Sequence, residues 1–347
     1  MGRQMTEHST KVRVGIIGAG AIVRQRHLPG LQTIPGVEVA VVCNRRPETA
    51  AAIAKDFKIP EVAENWEDVV RRPDIDVVWI GTTPELHAPV TIAALEAGKH
   101  VFCQARMARN LDEARAMLAA AQARPGQVTM LCPPPNAIKH GLYFEDLLRR
   151  RCIGSLFHFQ LRSLAPVWAE SSAPAHWRQR REVSGNNILS VGIYAEVLGR
   201  FLGYPLSLCA QGRICIQDRL EYTVRIPDCL QVIGQWPGNL EGVLQWSGVA
   251  QFGGSDILEI YGSDGTLAYD FANEQIQLGR RGQEQSSPLP VSPEFVKTWT
   301  VERDFIRAVL EGGSPEPSFQ TGVRYMEFVE AVDRSMADHA WISLASL

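Results

Sequence analysis

The chain has 347 residues, with 35 Lys and Arg against 38 Asp and Glu for a formal net charge of −3. That length holds about two domains. With 45% hydrophobic and 21% charged residues the chain can bury a core, which excludes wholesale disorder. The near-neutral balance argues against a dedicated nucleic-acid or membrane-surface binder, and no apolar run approaches the roughly 20 residues of a membrane span.

The polar start, Met1 to Lys11, carries no apolar signal segment and reads as a tail. The next stretch alternates short apolar runs with helical patterns. Val12 to Ile17, Val37 to Val42, Asp76 to Ile80, His100 to Cys103 and Val128 to Cys132 read as strands. Helices are predicted from the glycines after Ile17 to about Ile34, and over Pro47 to Phe57, Ala88 to Ala97 and Leu111 to Ala123. Such β-α repetition predicts a parallel sheet covered on both faces. Pro133-Pro134-Pro135 then breaks the pattern and marks a domain hinge. A helix is predicted over Ile138 to Arg150, and Ser155 to Ser163 alternates apolar with polar residues. Leu206 to Gly279 holds several strand-like runs split at Pro237-Gly238-Asn239, Gly253-Gly254 and Ser263-Asp264-Gly265. This predicts a largely antiparallel sheet with one covered face. Residues 280–293 read as a surface loop, and helices fit Val301 to Leu310 and Thr321 to Met336. The expected fold is α/β: a dinucleotide-binding domain over 11–132 and a substrate and oligomerisation domain over 133–347.

Seven cysteines with no CxxC pair, and eight scattered histidines, predict buried free thiols in a reducing cytoplasm and no metal site. The chemistry-bearing signal lies at the first strand's end. Gly18-Ala19-Gly20-Ala21-Ile22-Val23 is a glycine-rich turn with Val23 in the third glycine's place. The first glycine permits the tight turn, the second lets a pyrophosphate approach the backbone, and the helix start meets the negative charge. At the second strand's end an NAD site places an Asp or Glu on the ribose 2′-hydroxyl. This chain has Asn44-Arg45-Arg46, which repels no 2′-phosphate and offers two guanidiniums to bind one, so NADP is expected in preference to NAD. The competing reading is a solvated arginine pair at a helix entrance.

Ile17 to Ile22, Thr83-Pro84-Glu85-Leu86-His87, Gly98-Lys99-His100-Val101-Phe102-Cys103, Ile153-Gly154 and Gly262-Ser263-Asp264-Gly265-Thr266 occur in one order along the chain. In that order they resemble the Gfo/Idh/MocA family, from about residue 11 to 337. The resemblance implies a Rossmann domain followed by an α/β domain with a large, open, mostly antiparallel sheet, and NAD(P)-linked oxidation or reduction of a small sugar-like carbonyl or alcohol substrate. It also implies assembly as a homodimer or homotetramer through the large sheet. It places Gly18, Gly20, Ala21, Ile22, Thr82, Thr83, Pro84, His87 and Gln104 beside the cofactor. For His87 a hydrogen-bonded loop histidine is an equal alternative.

The chain departs from the family at its catalytic motifs. Gln104-Ala105-Arg106 stands where the family has Glu-Lys-Pro, so the lysine that stabilises a developing alkoxide is an alanine. Losing the proline, whose bond in the family is commonly cis, predicts a trans Ala105–Arg106 peptide. Ser184 to Tyr194 resembles the glycine-rich second motif, with Ser190 in the aspartate place and Tyr194 in the place of His or Tyr. Tyr194 is the remaining acid/base candidate, against plain aromatic packing. As a base it needs a nearby cation, with Arg106, Lys139, Arg162 and Arg178 as possible sources. Trp177 and Arg178 resemble a stretch walling the substrate pocket, or simple packing. Three functions stay open: an oxidoreductase with atypical catalytic residues, a non-catalytic nucleotide-binding pseudoenzyme, or a lyase or hydrolase retaining a nicotinamide.

Overall fold

The computed structural model describes residues 11–135, 138–254 and 256–347. The polar tail expected at the start lies, up to Thr10, outside the described residues. The chain divides into two compact units. The first takes residues up to Met107 together with Arg115–Cys132 and Thr300–Gln320; the second takes Ala108–Ala114, Pro133–Trp299 and Thr321–Leu347.

The first unit is built on six strands: β1 (Val12–Ile17), β2 (Val37–Cys43), β3 (Glu61–Val62), β4 (Val77–Ile80), β5 (His100–Cys103) and β6 (Thr129–Leu131). All pair in parallel, in the order β3-β2-β1-β4-β5-β6. This is the doubly wound order whose topological switch lies between β1 and β4. β4 is buried at every residue, and β1 and β2 nearly so. A strand buried on both faces reads as a continuous apolar run, which is why Val-Val-Trp-Ile shows no alternation. Trp79 and Phe102 stack at 3.8 Å on neighbouring strands, and Phe305 of the helix Val301–Glu311 meets both edge-on at 5.7 Å.

The helix after β1 is not regular. It forms a π turn over Val23–His27 before the α-helix Leu28–Gln32. Leu28 N–H donates to the Val23 carbonyl, one residue further back than in an α-helix. Pro29 has no N–H to give, and its ring would press on the carbonyl four residues earlier. The wider turn relieves that crowding.

The second unit carries β7 (Leu156–Leu164), β8 (Ser207–Arg213), the short ribbon β9 (Asp218–Arg219) and β10 (Tyr222–Thr223), β11 (Cys229–Trp236), β12 (Leu240–Ser247), β13 (Ile257–Gly262), β14 (Gly265–Asp270), β15 (Gln275–Arg280), β16 (Ser287–Pro288) and β17 (Ile342–Ser343). Nine of them form one sheet in the order β16-β15-β14-β13-β7-β12-β11-β8-β17, antiparallel but for the β7–β12 pair. Alternation is plain in β11: Leu230, Val232 and Trp236 are buried while Gln231, Ile233 and Gln235 face outward. The outward face keeps large apolar groups, Ile233 and Val243, at about half exposure. Residues 280–293, expected as a loop, contribute β16, which pairs with Gln277 and Leu278. Pro288 has no N–H for a second partner, so this strand fits only at the sheet's edge. The helix expected from Ile138 starts at Gly141 and runs to Arg149.

Candidate active site

At the switch point in the first unit the turns after β1 and β4 meet. Gly18 has φ +83°, and a Cβ there would lie 2.6 Å from Thr82 N. A Cβ on Gly81 would lie 2.2 Å from the Gly18 carbonyl oxygen and 2.3 Å from a Val23 methyl. Both positions therefore require glycine, one for its backbone and both for contact. Around Gly20 there is room: the nearest atom to a Cβ is the Gly81 oxygen at 3.9 Å. Ala21 and Ile22 open the helix beyond. Val23, in the third glycine's place, is wholly buried against Gly81.

Asn44 fastens this turn to β2. Its Oδ1 accepts from Ala19 N (2.7 Å) and its Nδ2 donates to Thr49 Oγ1 (3.1 Å). Arg45 and Arg46 are exposed at the start of the helix Pro47–Phe57. Arg46 approaches Glu48 only at 3.9 Å. In the β4 turn, Thr83 donates to Glu85 Oε1 (2.7 Å), while Thr82 Oγ1 and Glu85 Oε2 are buried without a hydrogen-bond partner. Buried polar atoms left open beside a glycine cradle are what a polar ligand would satisfy. The donor set thus fits a dinucleotide.

His87 joins that turn to the segment after β5. Its Nδ1 lies 2.8 Å from the Arg106 carbonyl oxygen and its Nε2 lies 3.1 Å from the Thr82 carbonyl oxygen. Complete burial holds the imidazole's pKa below the usual histidine range, although both carbonyls favour the proton. A neutral ring donates to one of them at a time.

The Ala105–Arg106 peptide is cis, which corrects the expectation of trans. The segment is anchored on both sides, by Gln104 N–H donating to the Ile80 carbonyl (3.0 Å) and by His87 on Arg106. The Gln104 side chain belongs to a buried group that no motif announces. Its Nε2 lies 2.5 Å from His27 Nε2, and His27 Nδ1 lies 2.5 Å from Glu302 Oε1. The consistent assignment has His27 Nδ1–H donating to the carboxylate and Nε2 accepting from the amide. Glu302 comes from 275 residues further along the chain.

In the second unit, Ser190 precedes the helix Val191–Leu202 and its hydroxyl lies 3.3 Å from Ser163 Oγ. Tyr194, one turn on, is 1% exposed and packs on Phe271 with ring centroids 5.3 Å apart. Its hydroxyl donates to the Asp256 carboxylate. The hydroxyl thus has a carboxylate beside it. Lys139 pairs with Glu274 (2.7 Å), Arg162 lies 3.7 Å from Glu259, and Arg178 stacks over Trp177 at 4.2 Å. Gly185, at φ +64°, lies against the Arg109 backbone, and Asn187 Nδ2 donates to the Ala108 carbonyl (2.8 Å). The glycine-rich segment is thereby held by its main chain. Asp256 went unnoticed in the sequence because it follows a plain Gly253-Gly254 turn with no motif around it.

The thiols depart from expectation. Cys43, Cys103 and Cys132 are buried, but Cys215 is exposed and Cys229 half-buried, because the loop after β8 and the outward face of β11 carry them. Among the described residues no helix is long and apolar enough to cross a membrane.

Comparisons with known proteins agree with this geometry. Residues 12–131 match the family described as the oxidoreductase family with an NAD-binding Rossmann fold, and residues 142–268 match the GFO/IDH/MocA C-terminal domain. The chain is similar to levoglucosan dehydrogenase of Pseudarthrobacter phenanthrenivorans, 23% identical over 97% of this chain and 99% of that protein. It is also similar to 1,5-anhydro-D-fructose reductase of Ensifer adhaerens, 28% identical over 90% and 92%. A solved levoglucosan dehydrogenase, in complex with NADH and levoglucosan, superimposes with a TM-score of 0.87 over 96% of this chain and 99% of that one, at 22% identity. A likeness at that identity establishes the fold.

Proposed function

Because the chain belongs to the Gfo/Idh/MocA oxidoreductase family, we propose that it binds NADP in preference to NAD and acts on a sugar-like or other small carbonyl or alcohol substrate, with Tyr194 in the acid/base role. The observation that carries the cofactor reading is the glycine cradle at the switch point, flanked by two exposed arginines and no carboxylate at the end of β2. Gly18, Gly20, Ala21 and Ile22 would lie under the pyrophosphate, and Arg45 and Arg46 would meet the 2′-phosphate. Thr82, Thr83, Pro84 and His87 frame the second turn, and Gln104 is the first residue beyond β5. A bound nicotinamide supplies the hydride acceptor or donor. Tyr194 can take the proton of a substrate hydroxyl while passing its own to Asp256.

The levoglucosan and anhydrofructose enzymes among the relatives support a sugar-like substrate. The outward sheet face with Ile233 and Val243 supports self-association as a homodimer or homotetramer. All seven cysteines being free thiols fits a cytoplasmic protein. A second reading, nucleotide binding without turnover, is favoured by the 1% exposure of Tyr194 and by the lack of any charged group at Ala105 and Ser190. Nicotinamide fluorescence on titration with NADPH and NADH, followed by absorbance with a panel of anhydrosugars and polyols, tests both. Tighter NADPH binding with slow turnover of one class supports the first reading. Tighter NADH binding overturns the cofactor preference, and nucleotide binding with no turnover on any sugar leaves the second reading standing.

A further inference from the structure

At the end of the second unit's sheet a different chemistry is assembled. The register sets Cys229, the first residue of β11, opposite Arg213 of β8 and Ser247 of β12. Cys215 lies two residues beyond Arg213 in the loop joining β8 to β9. The two sulfurs are 3.6 Å apart, and Ser247 Oγ lies 3.2 Å from Cys229 Sγ. Asp228 is wholly buried beneath the loop, and its carboxylate accepts from Cys215 N (2.8 Å) and Ile216 N (3.0 Å). Among the described residues no Lys, Arg or His is paired with it. One ligand-type atom from each of Cys215, Asp228 and Cys229 lies within 4.8 Å of the other two.

We propose that Cys215, Cys229 and Asp228 form a binding site for a thiophilic divalent cation of the zinc class, with Ser247 or water completing the shell. Three features point the same way. A tetrahedral zinc with Zn–S bonds of about 2.3 Å holds two thiolates about 3.8 Å apart, close to the separation already present. A buried carboxylate without a cationic partner is costly, and a bound cation removes that cost. The two backbone N–H groups fix the carboxylate's orientation, as groups behind a metal ligand commonly do. Binding would release the thiol protons, as thiolate ligation requires. Cys215 is exposed, so a cation can reach the site from solvent without opening the sheet. Bridging the loop 214–217 to β11 and β12, the cation would act as a staple at this end of the sheet, remote in sequence from the Ser184–Tyr194 segment.

The test uses the full chain, reduced and freed of metal with a chelator. Cobalt(II) should bind at one equivalent and give a thiolate-to-cobalt charge-transfer band with strong tetrahedral ligand-field bands. Zinc(II) should displace it, as the order of affinities requires. Cys215→Ser changes an exposed residue and should remove the charge-transfer band and weaken zinc binding at least ~100-fold, while Cys209→Ser leaves both unchanged. Asp228→Asn should weaken zinc about 10–100-fold. Independently of folding in any variant, zinc should protect Cys215 and Cys229 of the wild-type chain, and not Cys209, from alkylation mapped by mass spectrometry. Absence of a one-equivalent cobalt signal overturns the proposal. So does a signal that survives Cys215→Ser, or a Cys215–Cys229 disulfide in the isolated protein that takes up no metal after reduction.

Discussion

The two units carry sites made of different material. The turns at the β1–β4 switch are a main-chain site: what matters is that Gly18 adopts φ +83° and that Gly81 has no Cβ, which would lie 2.2 Å from the Gly18 carbonyl oxygen. The Ser184–Tyr194 segment is instead built from side chains: the Ser190 hydroxyl lies 3.3 Å from Ser163 Oγ, and the Tyr194 hydroxyl donates to Asp256. A site built on backbone tolerates many side chains around it, which is how Val23 and Gln104 enter without closing the cradle. A site built on functional groups changes its chemistry with each substitution. On the proposed function, this chain keeps the means to hold a dinucleotide more completely than the means to move a proton.

Nucleotide affinity tests the main-chain half. Gly81→Ala places a methyl between the Gly18 carbonyl and Val23, neither of which can turn aside. Overpacking of this kind costs about 1–3 kcal/mol, so NADPH affinity should fall by up to about 100-fold. Fluorescence titration checks it, with circular dichroism to confirm folding. Affinity within about threefold of wild type would show that the two turns do not define the site.

The largest expected effect lies in the side-chain half. Tyr194→Phe keeps the ring against Phe271 and removes only the hydroxyl. If Tyr194 moves a proton, turnover should fall about 10²–10⁴-fold with nucleotide binding intact. Asp256→Asn leaves the hydroxyl an amide oxygen to donate to but no group that can take its proton, so turnover should fall by a similar factor. An unchanged rate in Tyr194→Phe removes it from the mechanism and leaves the tyrosine as packing. Smaller again is the cofactor preference. Arg45→Ala with Arg46→Ala removes two exposed guanidiniums. A charge-assisted contact contributes about 1.5–3 kcal/mol, so NADPH should weaken about 10–100-fold while NADH changes little. Equal losses for the two nucleotides would mean that the arginines are merely solvated.

The same contrast governs what the sequence discloses. The strands of the first unit are legible because burial on both faces writes them as unbroken apolar runs such as Val77–Ile80. β11 is legible because one-sided burial writes it as alternation. The glycine turn is legible because backbone demands select a residue type at fixed spacing. The Glu302–His27–Gln104 group is not, since its members lie up to 275 residues apart and none has a spacing rule. Asp256 beside Tyr194 and Asp228 beside Cys215 are hidden for a like reason: packing of a helix on a loop creates the first proximity and the β8–β11 register the second. The π turn is half-disclosed by Pro29, which says that the helix must adjust but not by which route.

The smallest effect concerns His87, the side chain that serves the main-chain site by facing the Thr82 and Arg106 carbonyls. Burial lowers its pKa, with the carbonyls and Glu85 opposing. An unfolded histidine takes up its proton near pH 6.5. Just below that pH the unfolded chain therefore binds more protons than the folded one, and stability must fall as pH falls. The contribution of the neutral ring is fully present above about pH 6.5 and is lost toward the lowered folded value. His100 and His140 are shifted in the same direction, so the wild-type slope alone does not isolate His87. His87→Gln removes this one titration while keeping a donor. Urea midpoints for both chains between about pH 7.5 and 5 should converge as the pH falls. If the wild type instead gains on the variant in acid, the carbonyls outweigh burial. The ring would then be an imidazolium donating to both turns at once, placing a positive charge where the nicotinamide end of the cofactor is expected.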